Sequence, residues 1–335
     1  MKVYQIGNEA GIDALTLVER PEPKPEYGQI LVRVRAVSLN YRDLIIVESN
    51  RTDSNSHVIP MSDGAGEVVA VGVGVTRVKV GARVAGTFFQ DWVSGNINAK
   101  VMKSAMGGEI DGMLAEYVTL NQNGVVLLPN HLSYEEGATL PCAAVTAWHA
   151  LVTKGNLKAG ETVLILGTGG VSIFALQFAK LHGARVIVTS SSDEKLERAK
   201  ALGADDTINY KTTPNWEEAV YRLTDSTGVD HVVEVGGAGT LQKSIKAVRY
   251  GGYISLIGVL TGFGGEINPQ PILGKSITLQ GIYVGSREMF EAMNRAIAHH
   301  QLKPQIDRTF SLSEAKAAYQ YLKSGSHFGK VVIQL

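Results

Sequence analysis

The chain has 335 residues, with 32 Lys and Arg against 32 Asp and Glu, and 37 glycines against 10 prolines. That length predicts about two domains, and zero net charge removes the broad positive field that nucleic acid or an anionic membrane surface requires. A single cysteine forbids an intrachain disulfide and a four-cysteine zinc lobe, which fits a reducing, cytoplasmic setting.

Glu9 interrupts the N-terminus before an apolar run can form, so no secretory signal is expected. Up to about residue 125, strand-like runs at 30–37, 66–73 and 83–86 alternate with Gly, Pro and Asn, and this part is predicted to be mostly β. From about residue 129 the texture changes. Branched apolar runs at 162–166, 185–189, 207–209, 229–235, 253–258 and 277–284 alternate with helical stretches, the rhythm of a parallel sheet with crossover helices. The uncharged run 162–179 approaches a membrane span in length, but Gly167, Gly169 and Gly170 divide it into strand, turn and helix. A helix at 171–182 stops at Gly183, and the next opens on Ser191 with Glu194 three residues on, a capping box. After Gly285 come a helix at 287–300, a capped helix from Ser311 to Lys323 and a strand at 330–335, which return to the first domain.

The segment Gly167-Thr168-Gly169-Gly170-Val171-Ser172 lies between a buried strand and a helix start. There the first glycine permits a tight turn, Gly169 lets the backbone approach a pyrophosphate, and small Ser172 allows close helix packing. The unpaired N–H groups of the helix start offer partial positive charge to that anion. A bare connecting turn needs glycines too, but the strand-turn-helix setting favours a bound dinucleotide. An NAD site calls for a carboxylate about 20 residues on. Here the second strand ends in hydroxyls, Ser190 and Ser191, with Lys195 and Tyr210 as further candidates to hold a ribose 2′-phosphate. The expected cofactor is NADPH, against the alternative that Lys195 is an ordinary solvated helix residue.

With these residues in view, the chain resembles the medium-chain dehydrogenase/reductase superfamily, in particular its zinc-independent, quinone-oxidoreductase-like members. The resemblance spans nearly the whole length. It rests on the turn, on PEYGQILVRV at 25–34, LNYRD at 39–43, DGAGEVVAVG at 63–72, GMLAEY at 112–117, the segment 142–148 and GKVVI at 329–333. It implies an α/β protein with a doubly wound Rossmann sheet at 129–285. A GroES-like, mostly-β catalytic domain is split between 1–128 and 286–335. Zinc-dependent members carry a Cys where this chain has Asn40, a His-Glu pair at Ser62-Asp63, and a third ligand at Cys142. The set retained here cannot complete a tetrahedral site, so no metal residue is expected.

Without a Lewis acid, hydride transfer favours acceptors that delocalise the developing charge themselves, such as quinones, enones and other activated carbonyls. Asn40 and Tyr41 are the candidates for contacting the acceptor oxygen, with Tyr41 as a possible proton donor or simply a packed aromatic. The resemblance places Thr146 beside the nicotinamide. Gly236, Ile257 and Gly258, at carboxyl ends of parallel strands, are expected to line the nicotinamide half. Tyr283, Val284 and Lys330 resemble cofactor contacts, although Lys330 also suits a surface strand start. Arg42 and Asp43 are read as support. The stretch 88–112 is a loop that either shapes the substrate pocket or packs structurally. The alternatives are carbonyl/alcohol interconversion of the alcohol dehydrogenase type, or an NADPH-binding protein without turnover. A homodimer is expected through the edge strand 277–284.

Overall fold

The computed structural model describes every residue except 8, 50–56 and 263. Its contacts divide the chain into two units, Met1–Val145 with Val284–Leu335, and Thr146–Tyr283. The first unit thus keeps residues 129–145, which composition assigns to the second domain, because the short helix Tyr134–Ala138 packs on the strands of the first unit. The second junction falls between Tyr283 and Val284, close to the expected 285.

The first unit is built on β1 (Gln29–Leu39), whose branched apolar residues are buried along most of its length. Helix α1 (Tyr41–Glu48) starts two residues beyond the end of β1, with Asn40 between them as its extended N-cap. Strand β2 (Asp63–Val71) pairs antiparallel with β1 and sets Ser38 opposite Asp63. Strands Arg83–Gly86, Tyr117–Asn121 and Val125–Leu127 extend the same sheet.

The second unit is a six-stranded parallel sheet. Its elements are β3 (Thr162–Leu166), α2 (Gly170–Leu181), β4 (Arg185–Ser190), α3 (Asp193–Ala201), β5 (Asp206–Asn209), β6 (Val229–Glu234), α4 (Ala238–Ala247), β7 (Val248–Leu256) and β8 (Thr278–Gly281). The strand order is β5-β4-β3-β6-β7-β8, so the direction of winding reverses between β3 and β6, where open α/β sheets bind ligands beyond the strand ends. Helix α2 buries Ile173, Phe174, Phe178 and Ala179, and each phenylalanine contributes on the order of 2 kcal/mol. The capping serine of α3 is Ser192, accepting from the Lys195 N–H, one residue beyond the predicted Ser191.

The chain then returns to the first unit through the helix Arg287–His300 and ends in β9 (Lys330–Gln334). Strand β9 runs antiparallel to β1 with Leu39 opposite Val331, so the residue before Val331 is delivered beside the residue after Leu39. This register brings Lys330 to Asn40 across the length of the chain. Among the described residues, no helix is long and apolar enough to cross a membrane.

Candidate functional site

In the second unit the predicted turn has the required backbone. Gly167 sits at φ +73°, a left-handed conformation open to glycine, and donates its N–H to the Thr189 carbonyl at 2.9 Å. Ser172 Oγ donates to the Leu166 carbonyl at 2.8 Å, tying the helix start to the strand end. The first bond inside α2 is Ile173 N–H to Gly169 C=O. The N–H groups of Gly170, Val171 and Ser172 therefore have no acceptor within the helix, which suits a pyrophosphate, and Thr168 flanks them.

The strand ends predicted to hold the ribose lie together: Tyr210 donates its N–H to the Ser190 carbonyl at 3.0 Å. Ser190 is buried and Tyr210 is half-exposed, while Ser191 and Lys195 open toward solvent in part. The adjacent carboxylate, Asp193, accepts from Asn209 Nδ2 at 2.7 Å and so is engaged within the protein.

Gly236, Ile257 and Gly258 also converge, on a residue that sequence reasoning missed. Glu234 ends β6 fully buried, and its backbone carbonyl accepts from the N–H groups of Ile257 and Gly258. Its carboxylate accepts from Gly236 N–H at 2.8 Å, Gly237 N–H at 3.0 Å, Thr240 Oγ1 at 2.6 Å and Ser244 Oγ. Four donors satisfy the buried carboxyl oxygens in place of water and shape the glycine turn. The signal was available: an acid closing a branched apolar strand just before Gly-Gly. At Gly258 a Cβ would lie 2.0 Å from the Val235 carbonyl oxygen, so only glycine fits.

The first unit holds a different kind of site. Lys330 is 2% exposed, and its ammonium donates to the Leu39 carbonyl and to Asn40 Oδ1, each at 2.6 Å. It is therefore not a surface residue at a strand start. Asn40 is 8% exposed, and its Nδ2 is buried without a hydrogen bond of normal geometry, although it helps hold down the Asp63 carboxyl. Asp63 accepts from Ser62 Oγ at 2.7 Å and from Cys142 N–H at 3.0 Å. Asp43 accepts the Asn40 N–H at 2.8 Å.

Burial dominates the electrostatics of this cluster. It pushes the Asp43 carboxyl up to about 6 against the opposing pull of Arg42, and raises Asp63 against the pull of Lys330. Burial likewise depresses Lys330, with Asp63 opposing. The Cys142 thiol is pushed well up by desolvation first and by Asp63 second.

These residues do not suit zinc. A carboxamide and a hydroxyl replace a thiolate and an imidazole among the donors that zinc prefers, and the Lys330 ammonium donates to that carboxamide. Among the described residues, no group of three or more His, Cys, Asp or Glu side chains is placed to hold a metal ion.

Tyr41, the first residue of α1, is 46% exposed and is the accessible member of the predicted catalytic pair. Thr146 is buried on the helical turn Val145–Trp148, and Tyr283 is half-exposed beyond β8. Val284 is buried at φ +52°, a strained conformation for a β-branched residue. The stretch 88–112 divides: Phe88, Phe89, Trp92 and Met106 are buried, with Arg42 donating to the Met106 carbonyl while stacking on Phe88, whereas 93–100 and Met102 are exposed.

Residues 26–130 match the alcohol dehydrogenase GroES-like domain and residues 170–299 the zinc-binding dehydrogenase domain. A zinc-type alcohol dehydrogenase-like protein of Schizosaccharomyces pombe is 44% identical, with 99% of each chain covered. A 2-methylene-furan-3-one reductase of Solanum lycopersicum is 34% identical over 99% of this chain and 79% of its own. The crystal structure of a putative alcohol dehydrogenase from Sinorhizobium meliloti 1021 superposes with TM-score 0.92 at 44% identity, covering 100% of this chain and 99% of that one. Similar folds include an NAD-dependent alcohol dehydrogenase (TM-score 0.91, 32% identity, 100% of both chains) and a mycobacterial protein complexed with NADPH (0.84, 26%, 100% of both). The split mostly-β unit, the parallel sheet with its glycine turn and these full-length likenesses agree, and the chain belongs to the medium-chain dehydrogenase/reductase superfamily of nicotinamide-dependent oxidoreductases.

Proposed function

We propose that this protein is a zinc-independent, NADPH-dependent reductase of quinones, enones and other activated carbonyls. The observation that carries the reading is the Asn40–Ser62–Asp63–Cys142 cluster, in which Asn40 Oδ1 accepts from the Lys330 ammonium and Asp63 accepts from Ser62 Oγ and Cys142 N–H, in place of a thiolate and imidazole donor set for zinc. With no Lewis acid to polarise a plain ketone, the acceptor must spread the developing charge over its own conjugated system. The likeness to a 2-methylene-furan-3-one reductase supports an enone acceptor.

When bound, the reduced nicotinamide supplies hydride. Gly167, Thr168, Gly169, Gly170 and Val171 would hold its pyrophosphate, and Ser190, Ser191, Lys195 and Tyr210 its 2′-phosphate. Gly236, Ile257, Gly258, Tyr283 and Val284 would line the nicotinamide half, with Thr146 orienting the ring. Tyr41 would donate a hydrogen bond or a proton to the acceptor oxygen, on a helix start fixed by Asn40. The protein would act in the cytoplasm as a homodimer through β8, which lies at one end of the parallel sheet.

A second reading, alcohol/carbonyl interconversion, is favoured by likeness to the alcohol dehydrogenases named above. The deciding experiment follows NADPH and NADH oxidation with quinones, enones and simple aldehydes, using protein purified without added metal and assayed for zinc. We expect NADPH to exceed NADH by about tenfold or more in kcat/KM, as loss of charge-assisted bonds to a phosphate dictates. A preference for NADH, or stoichiometric zinc with alcohol oxidation, overturns the proposal. Retained NADPH with no turnover on any acceptor makes the chain a binding protein. Light scattering that finds a monomer at assay concentration removes the dimer.

A further inference from the structure

The junction between β1 and α1 is a single peptide unit, and both of its polar ends are held by buried charges of opposite sign. The carbonyl of Leu39 accepts from the Lys330 ammonium at 2.6 Å, and the N–H of Asn40 donates to Asp43 Oδ2 at 2.8 Å. The same ammonium donates to Asn40 Oδ1 at 2.6 Å. A lysine ammonium has only donors, so this bond also fixes which way round the carboxamide sits, with oxygen toward Lys330 and Nδ2 away from it. The next residue in the chain is Tyr41, half-exposed at the first position of α1.

Holding a peptide does not require charges. Neutral side chains would supply the same hydrogen bonds without the desolvation penalty of several kcal/mol that each buried ion incurs. Charge does supply direction. A fully buried cation and anion on opposite edges of one peptide resist its rotation far more strongly than neutral partners do, because a flipped plane would set carbonyl against carboxylate and N–H against ammonium.

We propose that Lys330 is a positioning residue. Its ammonium pins the Leu39–Asn40 peptide against Asp43 and so sets the direction in which Tyr41 leaves the sheet. The effect on turnover rests on the reading of Tyr41 as the acceptor's hydrogen-bond donor; the effect on the peptide does not.

The test compares the parent with Lys330→Met, and with Lys330→Gln should the first variant fail to fold. Crystal structures of the variants are expected to show the 39–40 peptide rotated or in two orientations and Tyr41 displaced. Acceptor-saturated kcat should fall by about tenfold or more, as misplacement of a contacting group dictates, while NADPH Kd moves by less than about threefold because the ammonium faces inward. Asn40→Ala removes only the bond to the carboxamide and keeps the Leu39 carbonyl and the Asn40 N–H in their bonds, so it should move the peptide less than Lys330→Met does, and Lys330→Met in the Asn40→Ala background should still lower kcat further. An unmoved peptide and Tyr41 in the variant crystals overturn the proposal even where kcat falls. A rise of about tenfold or more in NADPH Kd overturns it too, making Lys330 a cofactor contact. Should no acceptor be turned over at all, the function above fails while the crystallographic comparison still decides the role of Lys330.

Discussion

The turn at 167–172 and the cluster around Lys330 solve the same problem, presenting polar groups without water, by opposite means. The turn uses main-chain N–H groups whose direction follows from local backbone geometry, so a few glycines in sequence suffice. The cluster uses side chains separated by up to 291 residues, brought together by strand register and held by paired charges. A site made of backbone tolerates side-chain change and fails when a Cβ intrudes. A site made of buried charges tolerates small steric change and fails when one charge is lost or titrated.

The sharpest way to break the backbone site is Gly258→Ala. The new Cβ would meet the Val235 carbonyl oxygen at 2.0 Å and its carbon at 2.6 Å, with neither able to move without parting β6 from β7. Unfolding in denaturant should show a loss of roughly 3–5 kcal/mol, and NADPH retention should fall with it. A variant as stable as the parent would mean that the two strand ends are looser than described.

Titration breaks the charged site. Because burial raises Asp43 from 3.8 to about 6, the folded protein keeps a proton there between those values that the unfolded chain has released. This group therefore favours folding most below about pH 4, and that advantage declines as pH rises through 6, by an amount on the order of 3 kcal/mol. Asp43→Asn, which can still accept the Asn40 N–H, should abolish the decline. Thermal melts from pH 4.5 to 7.5 should then show the variant gaining on the parent as pH rises. Parallel curves would mean that Asp43 ionises normally.

The contrast also explains what was legible in the sequence. Strand-turn-helix spacing revealed the parallel sheet and its glycine turn because every requirement lies within a few residues. The local rule puts the cap of α3 one residue early, since three consecutive serines fit it and only the backbone chooses Ser192. Lys330 could not be aimed from sequence. At the start of an apolar strand it reads as a surface lysine until the register with β1 turns it inward. Trp92 and its neighbours were ambiguous for a related reason: an irregular apolar loop says nothing about which way it faces.

Glu234 joins the two modes, a buried acidic side chain serving a backbone turn. Glu234→Leu would leave the Gly236 and Gly237 N–H groups and two hydroxyls without their acceptor, costing roughly 2–3 kcal/mol, and NADPH Kd should rise. Glu234→Gln keeps one acceptor oxygen and lets Ser244 turn to accept, so its loss should stay within about 1 kcal/mol. Equal losses would show that shape, and not the carboxylate, holds the turn.

Tyr41→Phe carries the smallest expected effect and the narrowest test. The side chain is half-exposed, so melting should be unchanged and NADPH Kd unaffected. Removing the hydroxyl should lower kcat about tenfold for an enone, where a hydrogen bond stabilises charge that appears only in the transition state. A quinone spreads that charge over an aromatic ring as it is reduced and leans less on the hydroxyl, so its kcat should fall by a smaller factor. The ratio of the two losses separates a donor to the acceptor oxygen from an aromatic that merely walls the acceptor: the wall would reduce both acceptors alike and act through KM.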